Sequence, residues 1–594
     1  MHQDHILIEI RKLEDQISKL PRGSIGTKKV NGKNYYYHRY NVNGKRIEKY
    51  IDNGVLSDLL KQINLRKELE TKLKELKKLL NNKPIKKTEF HSSIRIGKEL
   101  KKFVDVVRKY KKREFFNTLN DYIYNDLYDK VLILYGLRRT GKTTLIRQCI
   151  LEMDDEMFSR AVYIKIGLKD TLSSLNKDIK KLESMGFKYI FIDEVSLLEE
   201  FIEGASLFFD IYASSGMKIV LSGTDSLGFM ITNSEQLYNR CILIHTTFIP
   251  YREFENVLGI KGIDEYINYG GTMVQGGINY NEVSTFFDDS STNEYIDTAI
   301  AKNIQHSLKY YDYGNHFRNL QELYEKNELT NVINRVVEDI NHRFTKEVLT
   351  RKFKSYDLAI SEKNLRKDKN NPTTILDDID IIGFTTRLKD LLDILDKNEQ
   401  TSTLDEICSF EIKEYLKLLD LIYDIDERSF PNINNIKKNI IVTQPGLRYA
   451  QAKALVSSLL KDDKFINLTL IERNSIVKRI LNEIKGRMME DIVLLETKIA
   501  NPKKEVFKLK FAVGEFDMVV FDPNKLFCEI YEIKYSKEVL SNHYTHLNDL
   551  NKIQQAQMQF GEVVNRNVIY RGESTMIDCI KYVNVEEYLN KLSN

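Results

Sequence analysis

The sequence predicts a multidomain α/β chain: an N-terminal helical and β-hairpin module, a parallel-sheet domain with a phosphate-binding loop, a helical middle and a C-terminal α/β domain. Three observations predict it. The chain has 594 residues, too many for one hydrophobic core at roughly 100–200 residues per domain. Between about residues 94 and 275, strand-like runs (KVLILYG, AVYIKIG, KYIFIDE, KIVLSGT, RCILIHTTF) alternate with amphipathic segments, the pattern of a parallel sheet covered by helices. Charge is also divided. Residues 1–114 hold 30 Lys and Arg against 14 Asp and Glu and the remainder 60 against 72, so the net +4 conceals a basic head on an acidic body.

The head, residues 1–93, reads as helices over 5–20 and 55–80 around a Tyr-rich stretch punctuated by two Asn-Gly turns, a hairpin or three-stranded meander. Leu59, Ile63, Leu69, Leu73 and Leu76 recur at helical spacing in the second helix, as in a helical pair. Lys28, Lys29, Lys33, Arg39, Lys45 and Arg46 interleave with Tyr35, Tyr36, Tyr37 and Tyr40. That mixture suits phosphate contact and base stacking, and equally the packed face of a small sheet; both readings stay open. Residues 81–93 read as a linker, 94–275 as the phosphate-loop domain, 276–484 as mostly helical with a polar loop at 361–374, and 485–594 as a small α/β domain of helix, strands, helix and strand.

Composition excludes several classes. No apolar run approaches the roughly 18 residues of a membrane span, and the charged start MHQDHILIEIRKLEDQ has no apolar export region. The five cysteines, Cys149, Cys241, Cys408, Cys528 and Cys579, lie far apart with no Cys-x-x-Cys. That argues against a disulfide framework or zinc site and fits a reducing cytoplasm.

Gly136, Leu137, Arg138, Arg139, Thr140, Gly141, Lys142, Thr143 and Thr144 satisfy G-x-x-x-x-G-K-[ST] between an apolar run and a helix-like segment. The chemistry needs this order: glycines let backbone N–H groups wrap the phosphates of ATP, Lys142 reaches the β and γ oxygens, and Thr143 ligates Mg²⁺. By average residue usage a chance match in such a chain is expected only about 0.02 times. Downstream, Asp193 and Glu194 end an apolar strand, where Asp193 would hold Mg²⁺ and Glu194 would polarise the attacking water as general base. Ser222 or Thr224, at another strand end, stands where a side chain senses the γ-phosphate; capping is the plainer role for either.

On these residues, with LSGTDS (221–226), Tyr238-Asn-Arg240, Pro250-Tyr-Arg-Glu-Phe254 and Tyr269-Gly-Gly271, the chain resembles the prokaryotic AAA+-related P-loop ATPases that carry a C-terminal restriction-endonuclease-like domain. The resemblance implies an AAA+-like fold, a winged-helix-like middle around Tyr415–Asp420 and Gln444–Arg448, a homo-oligomer, and a place for Arg240 near the nucleotide, as a finger toward a neighbouring subunit. It leaves residues 1–93 outside.

In the C-terminal segment, Asp517 begins one strand-like run and Glu532 and Lys534 lie on the next, joined by a Pro-Asn turn. Period-two geometry puts Glu532 and Lys534 on one face, opposite Asp517. Two carboxylates there suit Mg²⁺ or Mn²⁺, which acidifies a bound water, while Lys534 orients water or phosphate. The arrangement resembles the PD-(D/E)xK nuclease motif, with Glu490 at the first acidic position as a further ligand or orienting group. The expectation is therefore a cytoplasmic ATPase coupled to a metal-dependent nuclease acting on nucleic acid, DNA before RNA, with no membrane partner. The alternative is a nucleotide-dependent switch or adaptor whose C-terminal domain binds DNA or protein without cleavage.

Overall fold

The computed structural model describes residues 10–30 except 11, 33–42, 45–81, 90–125, 130–198, 201, 204, 208–224, 229, 240–246, 248–273, 286, 289–310, 317–354, 406–459 and 469–592. The polar loop expected at 361–374 and the pair Tyr238-Asn239 lie outside the described residues, as do residues 82–89 of the expected linker. Three sheets organise the rest.

In the basic head, β1 (Ser24–Val30), β2 (Lys33–Val42) and β3 (Lys45–Ile51) form an antiparallel meander, followed by the helix Asn53–Asn81. The buried Arg66 guanidinium of that helix donates to the carbonyls of Ile17 and Leu20, both at 2.6 Å. It thereby satisfies orphaned carbonyls at the end of the preceding helix. Glu14 pairs with Arg160 at 2.5 Å, a tie from this head to the next domain.

The second sheet contains β4 (Ser93–Arg95), β5 (Val131–Tyr135), β6 (Ala161–Lys165), β7 (Tyr189–Asp193), β8 (Lys218–Gly223) and β9 (Cys241–His245), in the order β4-β6-β7-β8-β5-β9. All neighbours are parallel except β4 with β6. Every residue of β5 is buried. Val131, Ile133 and Tyr135 join one core cluster, and Leu132 and Leu134 join another. Both faces are thus covered, as a parallel strand requires. β8 lies between β5 and β7, so the carboxyl ends of three strands open on one crevice, where such sheets place ligands.

The third sheet differs from expectation. Its order is β11-β10-β12-β13-β14-β15-β17-β16, where β10 is Ile422–Ser429, β11 Lys437–Val442, β12 Glu505–Lys510, β13 Glu515–Asp522, β14 Phe527–Lys534, β15 Glu562–Tyr570, β16 Thr575–Ile577 and β17 Ile580–Asn584. The hairpin β10–β11 comes from the segment read as a helical middle, and β10 pairs in parallel with β12. A domain boundary at 484/485 is also corrected, because the helix Leu470–Ala500 runs straight through it. The middle contributes two strands to the C-terminal sheet rather than forming a separate helical body. Around these strands the described part of the middle is helical, including Leu329–Lys354 and Glu406–Leu418.

The helices Tyr251–Leu258 and Ile263–Tyr269, which follow the second sheet, share a core with the helix Leu470–Ala500. Tyr251, Phe254 and Tyr266 pack in one cluster with Met488, Val493 and Ile569. Inside this junction Glu496 accepts the Tyr251 N–H at 2.8 Å. Burial pushes its carboxyl up to about 7, although that N–H and Arg252 favour the charged form. A folded-state value above the unfolded one means that stability is fully present below the unfolded value, near pH 4.5, and declines as pH rises toward 7. Glu496→Gln keeps the acceptor and removes the titration. It is expected to be more stable than wild type at pH 8 by on the order of 1–3 kcal/mol, with the gap closing by pH 4.5, as read from urea unfolding at both pH values.

Candidate functional site

The phosphate loop connects β5 to the helix Lys142–Leu151. Its shape needs residues that tolerate left-handed backbone: Gly136 has φ +137°, Gly141 has φ +90°, and Arg139 has φ +66°. At Gly136 a side chain is barred outright, since a Cβ would lie 2.4 Å from the Thr246 carbonyl oxygen. Thr140 is buried and ties the loop inward, donating to the Leu137 carbonyl and contacting the Thr246 hydroxyl, both at 2.8 Å. Lys142 folds back to donate to the carbonyls of Gly136 and Leu137 at 2.8 and 2.7 Å. Burial lowers its ammonium to about 8, against Glu194 and Asp193, which hold it up. Leu137 packs inward, whereas Arg138 and Arg139 are exposed and Thr144 is half-buried on the helix.

Asp193 is the hub. Its Oδ2 accepts Thr143 Oγ1 at 2.8 Å and Tyr163 OH at 2.7 Å, and its Oδ1 accepts the Glu194 N–H at 3.1 Å and the Ser222 hydroxyl. A buried carboxylate needs such donors, and here they fix its orientation beside the loop. Of the two hydroxyl residues at β8, Ser222 therefore joins the site. Thr224 instead gives its carbonyl to Asn303 Nδ2 at 2.6 Å. Glu194 has φ +63°, a conformation uncommon outside Gly and Asn, which turns its carboxyl away from β7. Burial and then the Asp193 charge raise its carboxyl above the ordinary range.

Arg240 is the predicted residue that does not join. Its carbonyl accepts the Val131 N–H at 3.0 Å, which places it at the amino end of β5, opposite the phosphate loop. Its guanidinium pairs with Asp210 at 3.2 Å on the surface. Within the chain Arg240 is therefore remote from the phosphate loop, and a role toward a neighbouring subunit's nucleotide stays a proposal.

Sequence reasoning missed the support beneath the loop. Arg113 is buried and donates to the Thr140 carbonyl at 2.7 Å, and its Nε and Nη2 reach Glu253 Oε2 at 2.9 and 2.5 Å. The other oxygen of Glu253 accepts the Glu114 N–H at 2.7 Å. Glu253 stood in the PYREF signature, but nothing near Arg113 marked it in a run of basic residues.

A second constellation sits in the third sheet. The ladder Met518↔Tyr531, continued one step, sets Asp517 across from Glu532. Asp517 Oδ2 accepts the Ile533 N–H at 2.7 Å and Lys534 Nζ at 3.1 Å, and Lys534 also pairs with Glu532 Oε2. Glu532 Oε1 is buried and receives no hydrogen bond. Burial first, then the Asp517 charge, pushes the Glu532 carboxyl well up; burial of Lys534 is outweighed by both carboxylates, which push its ammonium up. Glu490 lines the same cleft but is engaged elsewhere, by Arg487 at 2.5 Å and by the buried Lys508. Burial alone would raise its carboxyl, but Arg487 and Lys508 bring it down to about 2. The cleft, about 820 Å³, is walled by the helices Leu329–Lys354 and Leu470–Ala500 and by β11, β12 and β14. It gathers Arg343, Lys437, Lys438, Lys508, Lys534 and Arg571 around the acids. Buried His543 also lines it, with a ring Nδ1 that has no partner.

Among the described residues no group of three or more His, Cys, Asp and Glu side chains is arranged to hold a metal. The donors present suit a hard divalent ion at both places in a sparser way: Thr143 with Asp193, and Asp517 with the orphaned Glu532 oxygen. Mg²⁺ is commonly held by one or two carboxylates plus substrate phosphates.

A parallel sheet with this loop on β5, the Asp-Glu pair on β7 and β8 between them defines a P-loop nucleoside triphosphatase domain. Residues 128–255 match a family model described as an AAA domain, so the domain is a P-loop ATPase domain of the AAA type, which implies ATP and, typically, Mg²⁺. Residues 4–61 match a domain of unknown function, DUF6788. No curated protein matches the sequence significantly. Among solved structures, the Orc1 protein of Aeropyrum pernix in complex with DNA aligns at 10% identity over 61% of this chain and 93% of that one, with a TM-score of 0.20, too slight a likeness to transfer fold or role. Among the described residues, no helix is long and apolar enough to cross a membrane.

Lys142→Ala is expected to abolish ATP turnover in a phosphate-release assay. Glu194→Gln is expected to retain binding of a fluorescent ATP analogue while turnover falls by about 10²–10⁴-fold.

Proposed function

We propose that the chain is an ATPase coupled to a metal-dependent nuclease that acts on nucleic acid, DNA before RNA. The observation that carries the nuclease half is the convergence of Asp517, Glu532 and Lys534 at the edge of a basic cleft. The surrounding order supports it: a helix (Leu470–Ala500), three antiparallel strands β12–β13–β14, a helix (Leu550–Phe560) and β15 parallel to β14 resembles the core of PD-(D/E)xK nucleases.

At the ATP site, loop N–H groups receive the phosphates and Lys142 leaves its loop carbonyls for the β and γ oxygens. Thr143 and Asp193 would hold Mg²⁺, and Glu194 would take the proton of the attacking water. At the cleft, Asp517 and Glu532 would hold Mg²⁺ or Mn²⁺, which would acidify water and stabilise charge developing on phosphorus. Lys534 would then exchange its two carboxylates for the phosphate, while Lys437 would draw the backbone into the cleft. A homo-oligomer belongs to the same proposal, in which the exposed Arg240 would meet a nucleotide of a neighbouring subunit.

The two sites share a physical connection. Arg113 links the loop carbonyl of Thr140 to Glu253, and the helix that carries Glu253 gives its Tyr251 N–H to Glu496 on the helix that bears Glu490. The second reading, an ATP-driven switch whose C-terminal domain binds without cutting, is favoured by one observation. Lys534 bridges both carboxylates, so a metal must displace it.

Incubating the protein with labelled single- and double-stranded DNA and Mg²⁺ or Mn²⁺, with and without ATP, tests the choice. Cleavage is expected to vanish in Asp517→Ala and Lys534→Ala with ATP turnover retained. Cleavage unchanged in both variants, or absent from wild type under every condition, contradicts the nuclease reading and leaves the switch.

A further inference from the structure

The three-stranded sheet of the basic head plays no part in either site, yet one of its faces carries a cluster of three tyrosines, Tyr50 exposed and Tyr35 and Tyr37 half-buried. Strand alternation sorts its tyrosines. Tyr36, His38 and Tyr40 share a face with Ile51, which pairs with Tyr36 and is buried. Tyr35 and Tyr37 point the other way, and Tyr50, paired with Tyr37 and 54% exposed, joins them. Their rings meet at angles rather than in a stack: Tyr37 and Tyr50 are 5.8 Å apart at 72°, and Tyr35 and Tyr50 6.3 Å apart at 50°. Tyr50 is thus stacked face to face on neither partner.

Cations frame the cluster. The Lys28 ammonium stands 4.7 Å from the Tyr37 centroid. Arg39 lies across Gly26, whose missing side chain makes the room, since a Cβ there would sit 2.2 Å from the guanidinium carbon. The strands hold two, two and three Lys or Arg residues against a single acid, Glu48. Glu48 is already committed, to Lys28 at 2.7 Å and Arg39 at 2.9 Å.

We propose that this face, Tyr35, Tyr37 and Tyr50 with Lys28 and Arg39, binds single-stranded DNA by stacking unpaired bases on the rings and setting the backbone against the cations. Stacking requires open base faces, which a duplex withholds, and is indifferent to base identity because every base has a π-face. RNA is distinguished from DNA through contacts to the 2′-hydroxyl. Stacking and phosphate contact need no 2′-hydroxyl, so a DNA strand supplies everything this face reads. The surface stands apart from the ATPase and the cleft and does not depend on the function proposed for either.

The test uses the full chain and a short fluorescein-labelled oligothymidylate in anisotropy titrations at two salt concentrations. Tyr50→Ala is expected to weaken binding about tenfold and Tyr35→Ala/Tyr37→Ala/Tyr50→Ala further, with ATP turnover unchanged as the measure of intact folding. Tyr50→Phe, which keeps the ring, is expected to bind like wild type. Ultraviolet crosslinking of an oligonucleotide carrying 4-thiothymidine is expected to label peptides within residues 24–51. Equal affinity of the triple variant and wild type, crosslinks confined to other regions, or tighter binding of a duplex or of RNA of the same length would each overturn the proposal.

Discussion

One buried ion pair holds the account together. Arg113 and Glu253 are each 3% exposed, and two charges so far from water are tolerable only because their remaining hydrogen-bonding capacity is used. Arg113 spends it on the Thr140 and Phe248 carbonyls, and Glu253 on the Glu114 N–H. Removing either partner strands the other, at a cost of about 3–5 kcal/mol. The pair therefore fixes the phosphate loop to the helix Tyr251–Leu258, and that helix is locked in turn against Leu470–Ala500 through Glu496 and a shared apolar core. A second clamp lies nearby: Asp264, on the next helix, pairs with Arg571 and Lys485 and accepts the Tyr535 hydroxyl, one residue beyond Lys534.

The two candidate sites solve the same electrostatic problem differently. Asp193 stays a loaded acceptor, with four donors arranged around it, and its neighbours are small hydroxyls that an incoming cation can share. Asp517 and Glu532 instead lean on one lysine. Their mutual repulsion and burial push Glu532 up, and the Lys534 charge is what keeps the pair from being costlier still. The first site is ready for a cation held beside a phosphate, whereas the second must first move an ammonium.

Much of this was legible in the sequence where the chemistry is local. The phosphate loop is contiguous, and its Gly and Arg139 backbone angles follow from the motif. Asp517, Glu532 and Lys534 lie on adjacent strands of one hairpin, within reach of period-two counting. What stayed hidden depends on distant pairing. β10 joins β12 through Asp426↔Phe507, and no periodicity in 422–442 announces a parallel partner so far along the chain, so the hairpin read as part of a helical body. Arg113 meets a residue 140 positions away. Tyr163, whose hydroxyl helps to set Asp193, looked like any other residue of an apolar strand. Arg240 shows the converse: a family signature marks it, but the strand that follows it begins at the end of the sheet away from its own chain's phosphate loop.

The central claim is that nucleotide at the loop is felt in the helix Leu470–Ala500, which walls the cleft. Hydrogen–deuterium exchange of the full chain, with and without a non-hydrolysable ATP analogue, measures it most directly in residues 486–500. The account predicts that nucleotide changes protection there in wild type and leaves it unchanged in Glu253→Gln, although that variant still binds the analogue. No change in wild type, or the same change in Glu253→Gln, would contradict it.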